Sequence, residues 1–160
     1  MDNKDSANVN VNPLVNEAVI EAPLAEVWNA WSSGEGLRAW LAPHAEIDLR
    51  VGGLMRTNYN AAGQLDDAQT IVNTVLSFEP YRMISIKVVQ TPQGFPFANA
   101  ITRMWSVIYF AEVDANHTTV REVTLGFDAD AESQQMRAFF ERGNATTMNQ
   151  LKEHFAGGGK

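Results

Sequence analysis

The 160-residue chain contains no cysteine, which excludes a disulfide framework, a thiolate nucleophile, a thiolate zinc site and a Cys-ligated iron–sulfur cluster. Charge is sparse and mostly negative: 12 Lys and Arg against 19 Asp and Glu give a net charge of −7. No general positive field therefore attracts a nucleic-acid backbone or an anionic lipid surface, and nucleic acid is not an expected partner. No apolar run approaches the ~20 residues that a spanning helix needs, so the chain is not expected to be membrane-embedded. Residues 1–12, MDNKDSANVNVN, lack the apolar stretch of a signal peptide. The expected location is cytoplasmic, and a mature exported form with its signal removed is also compatible with these residues.

Catalytic and cofactor signatures are missing too. His44, His117 and His154 lie far apart and show no His-x-x-x-His or Glu-x-x-His spacing, so no metal site is expected. Ser32-Ser33-Gly34-Glu35-Gly36 reads as a turn between helices, not as a hydrolase nucleophile elbow. Gly157-Gly158-Gly159-Lys160 lacks the Ser or Thr and the helix that a phosphate loop requires. No cofactor is expected.

What is present is apolar and aromatic: 45% hydrophobic residues, with 8 Phe, 4 Trp and 3 Tyr, enough for a sizeable core. Residues 1–13, rich in Asn, read as a disordered tail and residues 156–160 as a flexible one, which leaves a single domain over residues 14–155. An extended run over residues 14–20 leads into Ala22-Pro23, where Pro suits the first position of a helix. Leu24, Val27, Trp28 and Trp31 then share one helical face, and Leu37, Trp40 and Leu41 repeat the spacing in a second short helix. Residues 45–51 and 54–60 alternate apolar and polar around Gly52-Gly53, the pattern of a tight hairpin. Strand-like runs follow at 70–78, 83–90, 104–113 and 118–127, making seven strands, antiparallel because their connections are too short for crossovers. A last helix over 131–155 is roughly 36 Å long at 1.5 Å per residue, enough to cross a small sheet.

This order of elements resembles the START-like superfamily, also called SRPBCC. More closely, Ala22-Pro23-Leu24-Ala25-Glu26-Val27-Trp28, Trp40, Val51-Gly52-Gly53, Phe78-Glu79-Pro80 and the long last helix resemble the branch named after the activator of the heat-shock-protein-90 ATPase. The resemblance implies an α+β helix-grip fold: a seven-stranded antiparallel sheet wrapped around the long C-terminal helix, two short helices after the first strand, and an internal cavity. It also implies a soluble protein linked to the stress response. Two departures stand out. Pro80-Tyr81 replaces a doubled proline common in that branch, and Thr124 stands where a histidine late in the seventh strand is common. Co-chaperone activity belongs to longer relatives with a further domain, and no specific activity is carried over.

Reading the alternation in register with the hairpin places Met55, Thr57 and Tyr59 inward, with Ile71, Asn73 and Val75, then Ile84, Ile86 and Val88, then Trp105, Val107 and Tyr109. Such a lining either encloses a small apolar body held by a few hydrogen bonds or fills a dry core. Trp40, Met136 and Phe140 complete it from the helices. Gly143 on the last helix points to a close backbone approach or to space left open. Glu122 has two readings. Val120, Glu122 and Thr124 face inward by the resemblance; Arg121, Val123, Leu125 and Phe127 face inward by hydrophobicity. An inward Glu122 requires Arg103, Asn73, Tyr109 or a ligand as partner. Phe95 and Phe97, in the long loop over residues 91–100, are read either as a gate at the cavity mouth or as pinned to the core or to a second subunit.

The leading expectation is binding of a small hydrophobic or amphipathic ligand, lipid-like or an aromatic metabolite, through Trp40, Met55, Tyr59, Asn73, Ile86, Phe95, Phe97, Trp105, Tyr109, Glu122, Met136 and Phe140, with no catalysis assumed. One alternative is a polyketide cyclase, dehydratase or hydrolase in which Glu122, Tyr109, Arg103 or Asn73 handles protons. The other is a co-chaperone-like interaction module, with a homodimer as one of its forms.

Overall fold

Period-two alternation and short connections produce the expected antiparallel sheet. In the computed structural model, which describes residues 9–156, the strands are β1 (Leu14–Ile20), β2 (His44–Ile47), β3 (Leu54–Asn58), β4 (Ile71–Glu79), β5 (Met83–Gln90), β6 (Trp105–Asp114) and β7 (His117–Leu125). They form one sheet in the order β1-β7-β6-β5-β4-β3-β2. Helices α1 (Leu24–Ser32) and α2 (Gly34–Trp40) follow β1, and α3 (Ala131–Ala156) closes the chain. The architecture is the α+β helix-grip arrangement. No described helix is long and apolar enough to cross a membrane.

Local chemistry sets the helix boundaries. Pro23 stands just outside α1 as its N-cap, not within the first turn. Ser33 caps α2, its hydroxyl oxygen accepting the Gly36 N–H at 2.9 Å. At the start of α3 the Asp130 carboxylate accepts the Ser133 N–H at 3.2 Å, while the Ser133 hydroxyl accepts the Asp128 N–H at 2.7 Å, a reciprocal pairing of otherwise orphaned donors. The tail expected over residues 1–13 lies partly outside the described residues, as do residues 157–160. Of the described part, Asn10 runs beside α3: its N–H reaches Gln134 at 3.0 Å, and its carbonyl accepts from the same amide at 2.9 Å.

Two expectations are corrected. The tight hairpin at Gly52-Gly53 is instead a longer connection over residues 48–53, because its backbone pairs with β4: Gly52 N–H donates to the Val75 carbonyl at 2.8 Å and Val75 N–H to Gly53 at 2.9 Å. Gly143 faces solvent, and a Cβ added there would meet nothing within 4 Å, so no close approach explains it.

The core is divided. One cluster joins α1, α2 and the C-terminal half of α3 to the sheet through Val27, Trp28, Trp31, Leu37, Ile108 and Leu151. The other gathers Leu14, Ile101, Met104, Phe127 and Met136 around the N-terminal half of α3. Between them the inward stripe of α3 turns polar: after Phe140 come Asn144 and Thr147, before Met148 and Leu151 resume it.

Candidate functional site

The gap between the two clusters is a pocket of about 160 Å³ under the middle of α3. Trp31 and Leu41 line it from the helical end, Met55 and Ile86 from the sheet, and Val88, Met104 and Phe140 from the second cluster. Polar atoms interrupt this wall at Thr57, Tyr59, Asn73, Ser106, Glu122, Asn144 and Thr147. Larger hollows of about 640 and 630 Å³ lie beside β2 and β3, among Glu46, Asp48, Arg50 and Arg56, and across β3 to β5, among Arg56, Asp67, Val72 and Gln90, and none of the candidate ligand-binding residues lines them.

Pairing explains which side chains point in. On β7, Val120, Glu122 and Thr124 sit opposite Phe110, Ile108 and Ser106 of β6 and opposite Ala18, Asn16 and Leu14 of β1. Glu122 is only 9% exposed, so the register with Val120, Glu122 and Thr124 inward is the one adopted. Hydrophobicity pointed the other way because the outer face is also apolar: Val123 is buried there beside Val107. Ser106 and Asn144 both hydrogen-bond the Thr124 hydroxyl, at 3.2 and 3.1 Å, tying α3 to the strands across one side of the pocket.

Glu122 has no such tie. Among the described residues no donor bonds its carboxylate, and burial pushes its carboxyl up to about 7. Asn16, its neighbour on β1, keeps its amide nitrogen buried and unpaired, so the two do not satisfy one another. Trp31 likewise holds its indole N–H buried without a partner. Tyr59 is 53% exposed as a residue, yet its phenol is raised to about 12, first by burial of its surroundings and then by the Glu122 charge. It stands at the rim of the pocket. The preceding residue, Asn58, is fixed by an amide donation to Asp67 at 2.9 Å, and backbone N–H groups of Gln64 and Gln69 hold the Asp67 carboxyl below its usual range.

The structure brings together Met55, Tyr59, Asn73, Ile86, Glu122 and Phe140 in this lining. The other residues named from sequence lie elsewhere. Trp40 sits behind Trp31, ring centroids 4.9 Å apart, and donates its indole N–H to the Ala30 carbonyl at 2.8 Å. Met136 is fully buried in the second cluster. Trp105 and Tyr109, expected inward, are 37% and 41% exposed on the outer face, because β6 pairs with β7 so that Ser106, Ile108 and Phe110 take the inner positions. Arg121 stands 5.8 Å over the Tyr109 ring on that outer side. Phe95 and Phe97 are half-buried and stack edge-on at 5.5 Å; both pack on Phe139, which in turn touches the pocket residue Phe140 at 5.1 Å. The pair therefore lies one ring removed from the lining.

Of the four groups named for proton handling, Glu122 and Asn73 share the pocket, whereas Tyr109 and Arg103 do not. Arg103 is bound to Asp128 and, at 3.1 Å, to Asp130. No group of three His, Cys, Asp or Glu among the described residues is placed to hold a metal. Sequence reasoning missed Trp31, Leu41, Ser106, Asn144 and Thr147. The signal for the last two was present: they fall four and seven residues after Phe140, the spacing of an inward helical stripe, but are polar.

Residues 21–156 match the family described as activator of Hsp90 ATPase homolog 1-like protein. Among solved structures, a protein from Mesorhizobium loti superposes with a TM-score of 0.72 at 17% identity, over 93% of this chain and 100% of that one. A solution structure described as the Aha1 dimer from Colwellia psychrerythraea gives 0.67 at 17% identity, over 90% and 96%. The AHSA1-like protein from Aeromonas hydrophila gives 0.68 at 19%, over 92% and 94%. At these identities the likeness is one of fold. Among curated proteins none matches.

Proposed function

We propose, from the premise that this chain belongs to the family of activator of Hsp90 ATPase homolog 1-like proteins, that it binds a compact, mainly apolar small molecule in the pocket between sheet and α3. The observation that carries this reading is the divided core. A domain that packed solidly would place large apolar side chains where α3 instead turns Asn144 and Thr147 toward Glu122 and Asn73. An apolar wall with a few converging polar groups is the usual make-up of a ligand site.

Volume narrows the occupant. At about 160 Å³ the pocket lies below the ~300 Å³ from which drug-sized sites start, and close to the ~150 Å³ that accommodates a benzene ring. A single ring or a short branched aliphatic body fits; a long acyl chain does not. Titration with benzyl alcohol, followed by amide chemical shifts, is expected to move Trp31, Asn73, Phe140 and Thr147. Thr147→Leu, which fills the space, is expected to weaken binding by about tenfold or more, the equivalent of ~1.4 kcal/mol. Shifts confined to other surfaces, or binding indifferent to Thr147→Leu, would overturn the reading.

Self-association through the outer sheet face is the second reading. Trp105, Tyr109, Val15 and Val19 stand exposed there, and one fold neighbour is described as a dimer. A light-scattering mass of two chains that falls to one in Trp105→Glu supports it; a single-chain mass for the unaltered protein refutes it.

A further inference from the structure

We infer that the pocket selects a small organic cation, a protonated primary amine on a compact apolar or single-ring body, with Glu122 as its counter-ion. The inference rests on the reading of the pocket as a ligand site and names the chemistry of its occupant.

Glu122 lies near the middle of β7, more than nine-tenths buried, and its carboxylate belongs to the pocket wall. Every element around it contributes neutral groups. Asn16 comes from β1, Ile108 from β6, Asn73 from β4 and Asn144 from α3, and among the described residues the only other titratable side chain in the lining is Tyr59. Among the described residues no Lys, Arg or His lines the pocket. Basic residues on neighbouring segments are engaged elsewhere: Arg121 of β7 faces Glu17 at 3.7 Å, Lys87 of β5 donates to the Thr102 and Met104 carbonyls, and Arg103, in the turn before β6, is held by Asp128 and Asp130.

A buried carboxylate without cation or donor is costly, and the described residues place neither on Glu122. An ammonium brings both: a positive charge and three N–H donors. One N–H can be taken by Glu122 and the others by side-chain oxygens of the lining, such as those of Asn73 and Asn144. Trp31 and Phe140 in the lining suit the apolar body that carries the cation. A neutral alcohol can donate one O–H but leaves the Glu122 charge uncompensated, and an anion meets a carboxylate with no compensating cation. Because burial holds the free carboxyl near 7, an ammonium that favours the charged form releases a proton to solvent when it binds just below neutrality.

The test compares three isosteric probes, benzylamine, benzyl alcohol and benzoate, by calorimetry on the full chain at pH 8. Benzylamine is expected to bind at least about tenfold more tightly than the alcohol, the scale of one charge-assisted hydrogen bond, and benzoate more weakly than either. In Glu122→Gln the amine-to-alcohol ratio is expected to fall to about one while the alcohol still binds. Lowering the pH to about 5.5, where Glu122 is protonated and the amine remains charged, is expected to remove the preference in the unaltered protein without any substitution. An amine that binds no better than the alcohol, or a preference that survives Glu122→Gln, overturns the inference and leaves the pocket reading standing. If none of the three probes binds, both fail together.

Discussion

Replacing Glu122 by Gln is expected to stabilise the ligand-free protein at pH 8 by about 3 kcal/mol and to leave it nearly unchanged at pH 4.5. The carboxyl is raised from 4.5 to about 7 by burial alone, and each unit of displacement corresponds to about 1.36 kcal/mol between protonation states. The sign follows from linkage. Below about 4.5 the group is protonated whether the chain is folded or not, and costs nothing. As pH rises toward 7 the unfolded chain ionises freely while the folded one resists, so stability is lost across that window and the loss is complete above it. Gln keeps the shape and cannot ionise, so its curve stays flat where the Glu curve descends. For a domain of this size the difference at pH 8 amounts to roughly 6 to 12 °C in melting temperature. Parallel melting curves for the two proteins from pH 4.5 to 8 would show that Glu122 is not held in a dry site. The same substitution thus separates two roles: it strengthens the empty protein and abolishes the preference for an amine.

That a protein keeps a carboxylate at such a cost is the kind of feature that sequence periodicity handles poorly. β6 and β7 are apolar on both faces, so period two identifies them as strands but does not say which side turns inward. Trp105, Val107 and Tyr109 are together bulkier than Ser106, Ile108 and Phe110, yet it is the second set that faces inward. The decision lies in the pairing with β7 and β1, which links residues far apart in the chain. Where only one face was apolar, as in α1 with Val27, Trp28 and Trp31, the reading from sequence and the structure coincide. The antiparallel order and the long last helix were legible for the same reason. Half of the residues named for the site, Met55, Tyr59, Asn73, Ile86, Glu122 and Phe140, come together in one lining. The bulky aromatics beside them do not, because Trp40 and Phe97 build the walls behind it. Asn144 and Thr147 were readable as inward-facing polar residues on α3, and it is this local loss of hydrophobicity, more than any excess of it, that marks the pocket.

Gly126→Ala is expected to destabilise the fold by about 4 kcal/mol, whereas Gly143→Ala, the same change of one methyl group on the next element, is expected to stabilise it by about 0.5 to 1 kcal/mol. Gly126 joins β7 to the lead-in of α3 with φ at +94°, where a side chain strains the backbone. An added Cβ would also stand 1.9 Å from the Arg103 carbonyl oxygen and 3.0 Å from Met104 Cα, and backbone atoms cannot rotate out of the way. Gly143 has a free helical surface around it, so Ala there gains helix propensity and removes freedom from the unfolded chain. Chemical denaturation of the two variants checks the opposite signs directly, and a Gly126→Ala loss below about 1 kcal/mol would refute the close crossing. The crossing bears on the site as well as on the fold. The segment pressed against Gly126 leads through Met104, a pocket residue, into Ser106 of β6, and Gly126 itself follows the β7 strand that carries Glu122 and Thr124. A displacement there moves two walls of the pocket relative to each other. A Gly126→Ala protein that remains folded is therefore expected to bind benzyl alcohol less tightly than Gly143→Ala, although neither glycine is itself part of the lining.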